Sequence, residues 1–167
     1  MSAGSDHDEL CRLLNQLTPG LLPRDVFHAI ARLMVTTTYV VVPLLRRDGK
    51  ILTFLPRRGA DDLYYPSMLN APGTVIRASD ESLSAVYHRL AISEFPGIPI
   101  KGDPVFVDRV YDLIVRGREI SLIHWVEMSD TADLTQLIDV DELPGDVVPT
   151  DRARIAMAAD DYRKRAA

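Results

Sequence analysis

The sequence predicts an α+β domain, sandwich-like, in which one central helix crosses a mixed sheet. Three observations carry this. Apolar residues recur at helical spacing near the N-terminus, and cap and stop signals mark further helices in the middle and at the end of the chain, between segments rich in β-branched and aromatic residues. The turn signals between them are the Pro-Gly pairs Pro19-Gly20 and Pro96-Gly97 and the Asp-Gly pair Asp48-Gly49. With 167 residues, 47% hydrophobic and 26% charged, the chain is long enough for one buried core and has the composition of an ordered globular domain.

In chain order, Leu10, Leu13, Leu14 and Leu17 lie at helical spacing after an acidic start, which predicts a helix over Asp6 to Leu17. Pro23 suits the first turn of a second helix, with Val26, Phe27, Ile30 and Met34 on its apolar face. This helical pair, residues 1–34, is expected to pack on the main domain or on a partner subunit. Only Arg24 and Arg32 are basic in the second helix, which argues against a DNA-reading helix-turn-helix.

The segment TTTYVVVPLL predicts a strand, and ILTFL a second, joined by a hairpin at Asp48-Gly49 because glycine supplies the positive φ such a turn requires. A loop from Pro56 to Pro72 leads to a short TVIR strand. Ser79-Asp80-Glu81 then opens a helix reaching Glu94. PVFVDRVYDLIV and EISLIHWVEM predict two longer strands joined at Arg116-Gly117-Arg118. A short helix is expected near Asp133 to Ile138, and a closing helix begins at Thr150 and Asp151. The expected organisation is a helical extension over 1–34, a main domain over 35–140, and a loop and helix over 141–167 packed on that domain.

Nineteen basic and 24 acidic residues give a net charge of −5, which argues against a broad positive surface for extended nucleic acid and leaves local basic clusters for small anions. The single cysteine, Cys11, has no internal disulfide partner, and the chain opens without a basic, then apolar, leader. The apolar run Tyr39 to Leu45 is too short to cross a membrane. A cytoplasmic protein is therefore expected. P-loop, GxGxxG, GxSxG and HExxH signatures are missing, and His7, His28, His88 and His124 lack metal-ligand spacing.

The stretch Gly73 to Ile98, GTVIRASDESLSAVYHRLAISEFPGI, resembles the Nudix box, the strand-loop-helix motif of enzymes that hydrolyse nucleoside diphosphates linked to another moiety. That motif reads G-x5-E-x7-R-E-U-x-E-E-x-G-U, with U a bulky aliphatic residue. Gly73 matches its opening glycine, Glu81 its first glutamate and Arg89 its arginine. The resemblance covers Val35 to Met128 and implies a Nudix-like α/β/α sandwich with a mixed sheet. Seven residues, not five, separate Gly73 from Glu81, and Leu90 and Ser93 stand where the family has carboxylates, so only Glu94 remains of those three positions.

The loss bears on chemistry. Water attack on a diphosphate uses a divalent cation, and a hard cation needs several oxygen ligands. The resemblance therefore implies two functions. One is a divergent hydrolase of a nucleoside diphosphate derivative or related diphosphate, using Mg²⁺ or Mn²⁺ on Glu94 and Glu81, with Glu94 and Arg89 in the catalytic machinery. The other is a catalytically silent Nudix-fold module that binds a nucleotide-like ligand or another protein. Asp80, His88, Asp130 and Asp133 are candidates to replace the lost carboxylates, although Asp80 and Glu81 equally suit a helix N-terminus. For the ligand, Arg57 and Arg58 suit a phosphate clamp, Tyr64 or Tyr65 suits stacking on a base, and Gly73 completes the set. Trp125, Tyr111 and His124 are expected in the core or at a dimer contact, with His124 and Trp125 on opposite sheet faces. A homodimer is a further expectation.

Overall fold

In a computed structural model, which describes residues 3–165, the chain forms a six-stranded mixed sheet with a helix on each face. The elements are α1 (Ala3–Leu14), α2 (Arg24–Ala31), β1 (Thr36–Arg47), β2 (Lys50–Phe54), β3 (Gly73–Val75), α3 (Leu83–Glu94), β4 (Ile100–Ile114), β5 (Gly117–Met128), β6 (Leu137–Asp139) and α4 (Pro149–Arg165). Strands run in the order β4-β5-β1-β2-β6, and β3 also pairs with β1. The β1–β5 pairing is parallel and the others antiparallel, as the expected mixed sheet requires.

β1 is the central strand, and its sequence shows why. Eight consecutive residues, Thr38 to Leu45, are buried, so both faces of the strand are covered. Val40, Val42 and Leu44 pack with Ile155, Ala158 and Tyr162 of α4, while Tyr39 and Val41 pack with Val86 and Leu90 of α3. One edge of β1 pairs with β5 along its length; the other pairs first with β3, through Val40, and then with β2, from Leu44. Pro43 falls in the gap between those two partners. The Val41 amide donates to Pro72 on that side, so the amide that Pro43 lacks would have pointed into the gap, where no ladder bond is lost.

The β1–β2 turn follows the sequence expectation. Asp48 and Gly49 both have positive φ, 49° and 79°, and Arg47 pairs with Lys50 across them, the geometry of a primed hairpin turn. The β4–β5 turn is displaced by one residue from expectation: Ile114 pairs with Gly117, so Val115-Arg116 makes the turn. Gly117 has φ +130°, and a Cβ there would lie 2.7 Å from the Ala31 carbonyl, so the end of α2 rests on a position only glycine can occupy.

Other boundaries shift for identifiable reasons. Pro23 is the N-cap of α2 rather than a first-turn residue, and Met34 lies beyond the helix and is exposed. Ser82 caps α3 by accepting from the Ala85 amide at 3.1 Å, so Glu81 lies outside the helix. The expected helix near Asp133 is a single 3-10 turn, Leu134–Gln136, followed by β6. Trp125 packs edge-on against Tyr162 and donates to Asp161 at 2.7 Å, while His124 stacks on Tyr39 across the sheet, so the two do occupy opposite faces. Tyr111, expected in the core or at a dimer contact, is not in the core but exposed beside Arg118. Among the described residues, no helix is long and apolar enough to cross a membrane.

Candidate functional site

Two adjoining cavities open where the loop after β2 meets the start of β3. The inner one, about 170 Å³, is walled by Thr38 of β1, Gly73 to Val75, Ile114 to Arg116, Glu119 of β5, and Asp151 and Arg154 of α4. The outer cleft, about 440 Å³, runs along Ser93 and Glu94 at the end of α3, with Arg57, Gly59 and Asp62 on the loop side. Arg58, Asn70 and Gly73 line both. Tyr64 and Tyr65 line the inner cavity.

Gly73 lies at this junction. It pairs with Val40 in the sheet, and a Cβ there would lie 3.4 Å from Val40 Cγ2, in a wall shared by the two cavities. The loop residues are held from below. Arg57 donates to the Ser67 carbonyl and to Asp146 at 2.7 Å. Arg58 donates to Asp62 at 2.5 Å, and Asp62 also accepts from the amides of Tyr64 and Tyr65, at 3.0 and 2.8 Å. Burial works against the Asp62 charge, but these donors outweigh it and bring its pKa to about 2. The Tyr64 hydroxyl lies 3.2 Å from His28 Nδ1, which ties the loop to α2.

The floor of the inner cavity is a buried charge network. Glu119, 1% exposed, accepts from Thr38 at 2.7 Å, Ser121 at 2.9 Å, Arg154 at 2.9 Å, and Arg116. Burial opposes its charge, and the Thr38 hydroxyl and the two guanidiniums overcome it, leaving the carboxyl below its ordinary value. Asp151 accepts from Arg154 at 3.0 Å and from the Ala71 amide at 3.1 Å, yet burial dominates there and pushes its pKa up. The two carboxylates of one network are thus driven in opposite directions.

The residues anticipated from the sequence divide between the cavities and the scaffold. Arg57, Arg58, Tyr65, Gly73 and Glu94 line one cavity or both, as does Tyr64. Arg89 and Glu81 line neither. Arg89 is bound to Asp80 through two donors, at 3.0 and 2.7 Å, to Thr74 at 2.7 Å and to the Val75 carbonyl at 3.1 Å, so it fastens α3 to the loop after β3. Asp80 is the carboxylate that pairs with Arg89, and Glu81 is exposed. His88 is exposed and lines neither cavity, and Asp133 caps the 3-10 turn. Asp62, Glu119, Asp151, Arg116 and Arg154 were not anticipated as site residues.

The donor set decides what the cleft can hold. Its carboxylates are Glu94 and Asp62, and Asp62 is already committed to Arg58 and two amides. Burial raises the Glu94 pKa, with Arg58 opposing. Ser93 donates to the Leu90 carbonyl, and Leu90 is fully buried in the core. Among the described residues, no three His, Cys, Asp or Glu side chains gather as a metal site. The residues present do not fit a protein-held Mg²⁺ or Mn²⁺, which requires several oxygen ligands.

No protein-family model matches the chain, and no curated protein matches it. Among solved structures it is similar to the NUDIX domain of Shewanella oneidensis NrtR complexed with ADP ribose, with TM-score 0.57 and 16% identity over 87% of this chain and 100% of that one. It is also similar to S. oneidensis NrtR complexed with a 27mer DNA, with TM-score 0.61 and 17% identity over 78% of this chain. The match spans 63% of that NrtR chain. A third similar structure is the Nudix hydrolase RenU from M. smegmatis, with TM-score 0.53 and 13% identity, covering 77% of this chain and 86% of that one. The chain has a divergent Nudix fold.

Proposed function

We propose that this protein binds a nucleoside diphosphate derivative and does so without metal-dependent hydrolysis. The observation that carries the reading is the junction at Gly73: a cleft lined by Arg57 and Arg58 and a tyrosine-lined inner cavity share one wall, beside a helix whose end presents Glu94 alone. In this reading Arg57 and Arg58 grip the diphosphate, since guanidinium matches phosphate oxygens at two points. Tyr65 or Tyr64 takes a ring of the ligand at the mouth of the inner cavity. The ADP ribose held by the NUDIX domain of NrtR supports a ligand of this class and makes ADP ribose the first compound to try.

Thermal-shift measurements against nucleotide sugars, dinucleotides, nucleoside triphosphates and ADP ribose test the proposal. At least one diphosphate-linked compound should raise the melting temperature, and Arg57→Ala and Arg58→Ala should each weaken that effect. If none does so, the reading fails. A cytoplasmic, homodimeric state with no extended nucleic-acid partner remains part of the proposal. The exposed Leu10, Leu13 and Leu14 on α1 support the dimer, which sedimentation equilibrium tests.

A further inference from the structure

Every described side chain of α1, from Asp6 to Leu14, is exposed, so the helix packs on no part of its own chain among the described residues. Leu10, Leu13 and Leu14 are between 42 and 53% exposed. At 3.6 residues per turn these leucines form one stripe, Asp6 continues it one turn before Leu10, and Glu9 borders it. A helix of 12 residues is marginal in water by itself, so this one needs a surface that takes the stripe.

The sheet offers such a surface. On the α4 side its covering reaches β4, where Val107 and Val110 join the core. On the other side α3 covers Tyr39, Val41 and Val126, and the half of β4 and β5 nearest their turn stays bare. The β4–β5 register puts Phe106, Arg109, Tyr111 and Leu113 on this bare side, opposite His124, Leu122, Ile120 and Arg118. Phe106, Tyr111 and Leu113 are between 47 and 68% exposed. Asp108 and Asp112 share the opposite face with Ile123 and Glu119, so the charged residues of the bare stretch are Arg109 and Arg118, both exposed and both basic.

We propose that α1 docks on the bare β4–β5 face of a second copy of this chain, and that the second copy's helix docks in return. The proposal rests on the homodimer proposed above and assigns its surface. The two faces match in polarity and charge: a leucine stripe with Asp6 on it meets an apolar strip flanked by Arg109 and Arg118. Glu9 is already paired with Arg12 on the helix, at 2.7 Å, so Asp6 carries the match. Neither face is covered within one chain, and a two-fold exchange covers both twice. Two such contacts, over the three leucines, the three bare β4 side chains and the half-buried Ile120 and Leu122, bury on the order of 1,200 Å², the size at which stable interfaces begin.

Cys11, the single cysteine, is exposed on α1 and serves as a label site. A chain carrying a nitroxide on Cys11 is mixed with a ¹⁵N-labelled Cys11→Ser chain and left to exchange subunits, so that any broadening of the ¹⁵N amide signals comes from the other copy's helix. Amides of residues 106–113 and 118–122 should broaden, and those of β2 and β6, at the far edge of the sheet, should not. In sedimentation equilibrium Leu13→Asp and Leu113→Asp should each weaken dimerisation by about tenfold or more, because each places a charge in an apolar contact. Leu21→Asp, exposed and outside both faces, should leave it unchanged. Since α1 packs on nothing else, Leu13→Asp keeps the domain folded and carries the test if Leu113→Asp does not fold. A dimer whose β4–β5 amides stay sharp, or one that Leu13→Asp leaves intact, would overturn the docking while the homodimer stands. A wild-type monomer would overturn both, and ligand binding is judged separately by the thermal-shift measurements.

Discussion

Arg89 and Asp80 meet in a two-point ion pair, Nε to Oδ1 at 3.0 Å and Nη2 to Oδ2 at 2.7 Å, that joins the middle of α3 to the loop preceding it. The same carboxylate accepts from the Arg77 amide at 2.7 Å, and Arg89 continues to Thr74 and Val75. Arg89 thereby sets where Gly73 and its neighbours lie relative to α3. Arg89→Ala should cost about 1–3 kcal/mol, the penalty for leaving these acceptors unpaired, measured by urea denaturation. The Arg89 hydrogen bond holds the Asp80 carboxyl below its ordinary value. Its contribution should therefore be complete above the usual aspartate range and fade as pH falls through the lowered value, and Asp80→Asn should flatten that acid limb.

Glu94 behaves in the opposite sense. Burial raises its pKa, with Arg58 as the opposing influence, so the folded state holds its proton more tightly than the unfolded state. Stability should decline as pH rises from the ordinary glutamate range through the raised value. Glu94→Gln should remove that decline and leave the protein equally or more stable at neutral pH. A metal-ligating Glu94 would instead make the variant lose stabilisation by Mg²⁺, so melting curves with and without Mg²⁺ check the prediction.

Glu119 anchors Arg116 and Arg154 below the inner cavity, and its replacement removes a carboxylate they share. Glu119→Gln should destabilise the fold by roughly 3–5 kcal/mol, because removing one member of a buried ion pair strands the others. Denaturant titration reads this directly. Ser121→Ala, which removes one hydrogen-bond donor to the same carboxylate, should cost only about 1 kcal/mol.

α2 touches the wall of the inner cavity at two points. His28 Nδ1 lies 3.2 Å from the Tyr64 hydroxyl, and the Arg116 guanidinium sits over the Phe27 ring, 5.8 Å from its centroid. Ligand in the cavity should slow amide exchange across residues 24–31, since Tyr64 and Arg116 are cavity residues as well as α2 contacts. Tyr64→Phe should reduce the protection gained, as hydrogen-exchange mass spectrometry would report.

Local signals were legible in the sequence, and partnerships across the chain were not. The Asp48-Gly49 turn could be read because positive φ is a property of those residues themselves. Strand alternation likewise placed His124 and Trp125 on opposite faces. Of the residues that line the two cavities, the arginines after β2, Tyr65, Gly73 and Glu94 could be singled out from the motif and its flanks. The Glu119 network could not, because its members are distant in sequence: Thr38 lies 81 residues from Glu119 and Arg154 lies 35. One signal was present. Glu119 and Ser121 share a strand face with Ile123 and Trp125, and a carboxylate on a core face must find buried donors. β6 was missed because three residues offer no periodicity to read.

The central claim is metal-independent binding, and one calorimetric titration addresses it. A nucleoside diphosphate derivative that stabilises the protein is titrated into it in excess EDTA, and the ligand is then recovered and its mass determined. Saturable binding in EDTA with the ligand recovered intact, and affinity unchanged when Mg²⁺ replaces EDTA, is the predicted result. Binding that appears only with Mg²⁺, or recovery of cleaved diphosphate, would contradict it.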